Sequence, residues 1–313
     1  MISFNEKIDN FINEYCRLFK FSGALRVCFH DEIIYERFIG CADYENNIPI
    51  NVRSVYTLYS LSKPFCAIGL LKLKDKGLVD INSHPAVYVP EMSGFDKRIT
   101  IRHMLQHTSG MPDFAQTKGF ASTYHAGPPD KIREQLTILS SYPMYFVPGT
   151  ASMYANINFI VCALIIENVS GLSYADYMKR EVFEPLGMQT ARVDQLGLEI
   201  SNLVKGYEID GKDFVSVEKC RDWMLGAGDI VGTLDDVYCL NKAIKHHQLL
   251  KHETWDEILT PSSLNQMGMG CTVSEWHGKL RITHNGGHIG FRTLHVQLLE
   301  DDLDIILLIK HLF

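Results

Sequence analysis

The spacing of apolar positions changes along the chain, and the changes predict its elements. Near the N-terminus, Phe4, Ile8, Phe11 and Ile12 fall at helical intervals in an otherwise polar stretch and predict a surface helix with those four on its apolar side. Ala24-Leu25-Arg26-Val27-Cys28-Phe29 and Ile33-Ile34-Tyr35-Glu36-Arg37-Phe38-Ile39 flank His30-Asp31-Glu32 and predict a β-hairpin. The middle of the chain reads as helical. Phe65-Cys66-Ala67-Ile68-Gly69-Leu70-Leu71-Lys72-Leu73 is an apolar run that predicts a buried helix, and further helices are expected over 101–107, 129–140, 157–169, which ends at Ser170-Gly171, and 174–182. Thr233-Leu234-Asp235-Asp236 predicts a capped helix reaching about His246. Strand patterns return at 269–275, 280–284, 292–299 and 305–310.

Strands at both ends with helices between predict an α/β (α+β) chain, its antiparallel sheet built from both chain ends with flanking helices. The expected division is a discontinuous sheet domain, residues 1–57 and 205–313, and a mostly helical domain, 58–204. A site would lie at their junction, where pockets commonly form.

Composition narrows the function. The 313 residues are 46% hydrophobic, enough for a sizeable core, and the net charge of −7 argues against a nucleic-acid partner. No apolar run reaches the roughly 18 residues of a membrane span. The polar start lacks a basic n-region and an apolar h-region, so the expected location is cytoplasmic. The eight cysteines (16, 28, 41, 66, 162, 220, 239 and 271) are scattered without a Cys-x-x-Cys pair and read as free thiols.

The strongest chemical signal is Ser60-Leu61-Ser62-Lys63, directly before the apolar helix. Residues three apart share a helix face, so the Ser60 hydroxyl and the Lys63 amine can meet. A lysine in a dry site moves toward its neutral form and can then serve as base to a serine nucleophile. The bland alternative makes Ser60 a helix N-cap and Lys63 a solvated first-turn charge, and in either reading Lys63 is expected outside the apolar core. Ser216-Val217-Glu218-Lys219 repeats the spacing with no apolar helix behind it and reads as coincidence. His103 and His107 are four apart, but Met104 stands where a zinc-peptidase helix needs glutamate, so packing and capping near Thr108-Ser109-Gly110 is preferred. Gly226-x-Gly228-x-x-x-Gly232 misses the dinucleotide fingerprint, and no Gly-x-Ser-x-Gly is present. His246, His247 and His252 read as surface histidines.

Three further segments accompany Ser60 and Lys63: Ile99-Thr100-Ile101-Arg102-His103-Met104-Leu105-Gln106-His107-Thr108-Ser109-Gly110-Met111-Pro112, Phe146-Val147-Pro148-Gly149-Thr150-Ala151-Ser152-Met153-Tyr154-Ala155-Asn156, and His284-Asn285-Gly286-Gly287-His288-Ile289-Gly290-Phe291. In this order they resemble the serine β-lactamase and penicillin-binding-protein-like family, on its class C β-lactamase, D-aminopeptidase and esterase branch. Pro185-Leu186-Gly187-Met188 and Gly226-Ala227-Gly228-Asp229-Ile230-Val231-Gly232-Thr233 look like further family segments, and the resemblance covers about residues 20–310.

That resemblance implies a β-lactamase/transpeptidase-like fold. It makes Ser60 the nucleophile, Lys63 its base and Tyr154 a proton relay whose acidity the lysine would raise. Asn156 would donate to a substrate carbonyl. His284, Asn285 and Gly286 would line the substrate, and the N–H groups of Ser60 and Gly287 would form the oxyanion hole. No metal or other cofactor is implied. Tyr44-Glu45-Asn46 matches the Tyr-x-Asn pattern too but precedes the serine helix and reads as loop.

Two departures matter. The family's Lys-Thr-Gly is His284-Asn285-Gly286 here, which removes a permanent cation from the site and disfavours substrates held by a carboxylate. The family also continues past its last strand into a helix that covers the sheet, whereas this chain ends at Lys310-His311-Leu312-Phe313. The N-terminal helix or a second subunit would then cover that face, and exposed apolar surface would favour a homo-oligomer.

The reading is a serine hydrolase acting through a Ser60 acyl-enzyme on a small ester, amide or D-amino-acid peptide. The alternatives are an acyltransferase on the same fold, or a penicillin- or peptide-binding sensor with little turnover. Specificity is expected from loops at 113–130 and 193–222.

Overall fold

A computed structural model describes residues 3–18, 21–114, 129–195, 197–210, 213–217, 224–288 and 290–310. Helix α1 (Phe4–Leu18) leads into strands β1 (Gly23–Phe29) and β2 (Glu32–Ile39), followed by the short β3 (Cys41–Asp43), β4 (Ile48–Pro49) and β5 (Tyr56–Thr57). A 3-10 turn, Tyr59–Ser62, runs directly into α2 (Lys63–Asp75). Helices α3 (Ile101–Leu105), α4 (Pro129–Leu139), α5 (Ile157–Ser170) and α6 (Tyr174–Met178) fill the middle. Then come β6 (Arg192–Val193), β7 (Gly206–Asp210), β8 (Asp213–Val217) and β9 (Ile230–Gly232), and helices α7 (Leu234–Lys245) and α8 (His252–Leu259). Strands β10 (Thr272–Trp276), β11 (Lys279–His288), β12 (Phe291–Leu298) and β13 (Leu303–Ile309) end the described chain.

Six strands form one antiparallel sheet in the order β10-β11-β12-β13-β1-β2, so both ends of the chain complete it as the sequence predicts. Gly23 pairs with Ile309 and Phe29 with Leu303, zipping the first strand to the last. The β1–β2 turn holds His30 and Asp31 at φ of 50° and 60°, the left-handed pair of a tight hairpin. Strand β11 is longer than expected. Its ladder carries on to His288 against β12, which places all of His284–Gly287 on a strand.

One sheet face receives α7, whose Thr233 cap closes a reciprocal box with Asp236. Asn241 meets His295, Gln297 and Asp304 of the sheet there. On the other face Ile12 of α1 packs with Val27 and Tyr35. The expected apolar side of α1 is only partly right, because Phe4 and Phe11 remain 53% and 71% exposed. Covering a flat sheet takes one stripe of the helix, here Ile8, Ile12 and Cys16, and Phe4 and Phe11 fall outside it.

Helices α2 and α5 pack against each other. Every residue from Ile157 to Ile166 is buried, and so are Leu70, Leu71 and Leu73, each fully buried leucine contributing about 1.5–3 kcal/mol. Gly171 at φ 71° terminates α5, as its Ser170-Gly171 ending predicts. Among the described residues no single helix is long and apolar enough to cross a membrane. The seven described cysteines are free thiols, and Cys220 lies outside the described residues.

Candidate active site

Ser60 lies in the 3-10 turn immediately before α2, and Lys63 is the first residue of that helix. The preceding residue, Tyr59, adopts φ 47°, a conformation that costs energy outside glycine. Its surroundings hold it there. The ring is buried against His288 (centroids 5.5 Å) and Phe291 (5.9 Å). Leu58 accepts a hydrogen bond from Thr293 Oγ1 (2.9 Å), and Ser62 Oγ accepts from the Ile230 N–H (3.0 Å). The second serine of the motif is therefore committed to structure, while the Ser60 hydroxyl faces Lys63.

Lys63 is not the solvated charge of the bland reading, nor does it stay outside the core; it is wholly buried. Its Nζ lies 3.0 Å from Ser60 Oγ, 2.9 Å from Asn156 Oδ1 and 2.7 Å from the Ala227 carbonyl. Burial lowers the pKa to about 7, against the opposing pull of Asp113, Cys66 and Asp229. Two of the three contacts are carbonyl oxygens, which can only accept. A neutral amine keeps two N–H bonds for them and turns its lone pair to the third, Ser60.

Tyr154 sits on irregular chain ahead of α5. Ser60 is near enough to its hydroxyl to favour ionisation, and Lys63 Nζ is 4.8 Å from its ring centre. The expectation that the lysine would make this phenol a better acid is reversed. Desolvation outweighs the opposing influence of Ser60 and pushes the pKa well above the usual value. Tyr154 is therefore a neutral phenol at ordinary pH. Of the two neighbours of Ser60, only Lys63 can present a free base near pH 7.

Asn156 caps nothing with its side chain; its Oδ1 is taken by Lys63, which leaves Nδ2 as a donor. The first N–H groups of α5 go instead to Asp113, whose carboxylate accepts from Asn156 N (2.9 Å) and Ile157 N (3.2 Å). Asp113, placed by the sequence at the start of a specificity loop, is fully buried beneath the site. Burial raises its pKa despite those bonds. Most of the first proposed loop (115–128) and part of the second (196, 211–212 and 218–222) lie outside the described residues, as does Lys219 of the second Ser-x-x-Lys.

The β11 strand closes the other wall. A Cβ on Gly286 would come within 2.0 Å of the Leu58 carbonyl and 3.0 Å of Leu61 N, so only glycine lets the strand approach the serine turn this closely. Asn285 and Gly287 face outward, while His284 is buried, its ring centre 6.4 Å from that of Tyr154. His284 Nδ1 is 2.7 Å from the Asn285 carbonyl and so carries the proton, leaving Nε2 as an acceptor. Burial, with Lys63 nearby, lowers its pKa to about 3, so the imidazole stays neutral well into the acid range.

His103 completes a capping box with Thr100, accepting its N–H at Nδ1 (3.3 Å). His107 is buried against Tyr154. Among the described residues no three His, Cys, Asp or Glu side chains gather as metal ligands. Sequence reasoning missed Asp113, His107 as a neighbour of Tyr154, and the Ala227 carbonyl. The apolar-flanked Thr108-Ser109-Gly110 turn is the one visible signal for the first two.

An antiparallel sheet closed by both chain ends, with a serine and a buried lysine where its edge meets the helices, defines the serine β-lactamase and penicillin-binding-protein-like class of hydrolases. The sequence model of the Beta-lactamase family matches residues 20–310, and the chain belongs to that family. It is 27% identical over 309 residues to "Penicillin-binding protein 4*" of Bacillus subtilis (strain 168), covering 92% of this chain and 68% of that one. It is 29% identical over 197 residues to "Esterase EstB" of Burkholderia gladioli, which covers 58% of this chain and 50% of that protein. The crystal structure of D-amino acid amidase from Ochrobactrum anthropi SV3, complexed with D-phenylalanine, superposes with a TM-score of 0.80 at 21% identity, covering 97% and 92% of the two chains. The chain thus spans about two thirds of one curated relative and half of the other.

Proposed function

We propose that the chain is a serine acyl hydrolase whose Ser60 forms an ester intermediate with a small ester, amide or D-amino-acid peptide. The site would lie where a sheet body, residues 1–57 with 205–313, meets a helical body, 58–204. The observation that carries the reading is the placement of Lys63 Nζ, buried and near neutrality, 3.0 Å from Ser60 Oγ. In the first step Lys63 takes the Ser60 proton as Oγ bonds to the substrate carbonyl carbon. The carbonyl oxygen, now an alkoxide, would be held by the N–H groups of Ser60 and Gly287. Collapse breaks the bond to the leaving alcohol or amine, which receives the proton from Lys63 through the Tyr154 hydroxyl. Water then attacks the ester with the same groups in reverse order, returning the acid product and free Ser60.

Neutral His284 supports uncharged substrates, since the imidazole in the lysine position of this strand carries no charge to anchor a carboxylate. Asn156 Nδ2 and Asn285 are the donors available for a substrate amide or carbonyl. The test is intact mass and peptide mapping after treatment with a fluorophosphonate and with a panel of acyl esters. One adduct on Ser60 is expected; an adduct on Ser62 or Ser109, or none, would overturn the assignment.

A further inference from the structure

We propose that His107 is a positioning residue for Tyr154, clamping the irregular chain on both sides of it so that the phenol is presented to Ser60. The inference rests on the acyl-enzyme reading above. Residues 151–155 belong to neither helix nor strand, so no backbone ladder fixes Tyr154. His107 supplies three restraints in consecutive order. Its carbonyl accepts from Met153 N (3.0 Å). Its imidazole stacks on the Tyr154 ring, centroids 4.3 Å apart and planes 27° from parallel. Its Nδ1 accepts from Ala155 N (3.1 Å).

The backbone makes this grip possible. His107 sits at φ 56°, which ends α3 and turns both its carbonyl and its side chain toward the 153–155 segment. Its neighbours extend the support, since Thr108 O accepts from Gly149 N and Gly110 O from Tyr145 N, each at 2.9 Å. Asn158 Nδ2 approaches the same Nδ1 at 3.2 Å, while Ser109 Oγ donates to Asn158 Oδ1 at 2.7 Å. With Nδ1 accepting, the proton resides on Nε2, which is buried with no partner among the described residues. A buried N–H left unpaired costs stability, a cost the contacts of the ring with the 153–155 segment must offset. Burial beside Lys63 and His284 keeps the imidazole uncharged.

The test measures Ser60 acylation by a fluorophosphonate in His107→Asn and His107→Phe, alone and combined with Tyr154→Phe. Asparagine tolerates the left-handed backbone and supplies an acceptor but no ring; phenylalanine keeps the stack and loses the acceptor. Each single variant should acylate about 10- to 100-fold more slowly with substrate KM little changed, as expected for a catalytic group misplaced by about 1 Å. In the Tyr154→Phe background the same changes should cost less than about threefold, because the hydroxyl they position is gone. Should phenylalanine prevent folding, the asparagine variant decides alone. Wild-type rates in the single variants, or effects that multiply in the double ones, overturn the role of His107. A wild-type protein that is not labelled at Ser60 overturns the underlying reading, and the role of His107 with it.

Discussion

Lys63 Nζ and Ser60 Oγ lie 3.0 Å apart, and Ser60 is the only one of the three Lys63 partners able to give up a proton. Because the lysine pKa is brought to about 7, the base is half-formed at neutral pH. Acylation should therefore rise through a single ionisation near pH 7 and level off above it, since the active form is the neutral amine. Lys63→Ala should lower the rate by about 10² or more and abolish that ionisation. Stopped-flow acylation against pH checks both, and an unchanged profile in the variant would remove Lys63 from the mechanism.

Tyr154→Phe should slow acylation by about 10² while leaving the ionisation near pH 7 in place. A phenol raised well above its usual pKa serves by relaying a proton, not by standing as a phenolate. If the variant loses the ionisation, the titrating group is the tyrosine and the base assignment is reversed.

The Asp113 carboxylate makes the largest favourable contribution to the charged form of Lys63. Asp113→Asn should shift the acylation ionisation below pH 7. Loss of one acceptor for the first N–H groups of α5 should also cost about 1–3 kcal/mol of stability. The pH profile and a urea titration separate the two effects.

These assignments divide by how local their signals are. Ser60 and Lys63 declare themselves because three residues on one helix face must meet, and Tyr154, Asn156 and His284 follow from segments whose order matches the family. The hairpin at His30-Asp31, the Thr233 capping box and the Gly171 stop were legible for the same reason, each being settled by a few consecutive residues. Asp113 and His107 were not legible. Their roles depend on the 107–113 turn lying against the start of α5, a contact between segments more than 40 residues apart. The direction of the Tyr154 shift was also hidden, because it is set by how much water the fold excludes and not by which charge is nearest. Phe4 and Phe11 show the limit of periodicity. A helical stripe says which residues could be buried, and the width of the sheet beneath decides which are.

Two buried histidines should make the fold sensitive to acid. His284 is held at about 3 and His295 at about 4, mainly by burial, while both titrate near 6.5 when unfolded. Below pH 6.5 the unfolded chain binds protons that the folded chain does not. Their stabilising contribution is thus complete above pH 6.5 and is lost toward pH 3–4, each adding up to about 1.4 kcal/mol per pH unit to the slope. His295 pairs across the ladder with His284 and donates through Nδ1 to Asn241 Oδ1 (2.9 Å), a bond an asparagine amide can replace. His295→Asn should flatten the decline in Tm between pH 6.5 and 4.5; a parallel decline in both proteins would place the acid sensitivity elsewhere.

His284 should set the charge preference of the site. A neutral imidazole gives a substrate carboxylate weaker anchoring than an ammonium ion, and its depressed pKa keeps that true at pH 5.5 as well as at pH 7.5. The wild-type protein should therefore acylate faster with p-nitrophenyl acetate than with a carboxylate-bearing β-lactam at both pH values. His284→Lys should move the preference toward the β-lactam by about tenfold or more. The introduced ammonium would also stand close to Lys63 and repel its charged form, so the acylation ionisation should move below pH 7 in the same variant. These two readouts are independent, one reporting on substrate charge and the other on the base. A shifted ionisation with unchanged preference would show that the new cation is present at the site and that selection lies in the surrounding loops. A wild-type preference for the β-lactam would contradict the assignment of His284 outright, because a neutral imidazole in the lysine position gives a carboxylate no reason to bind better than a neutral ester.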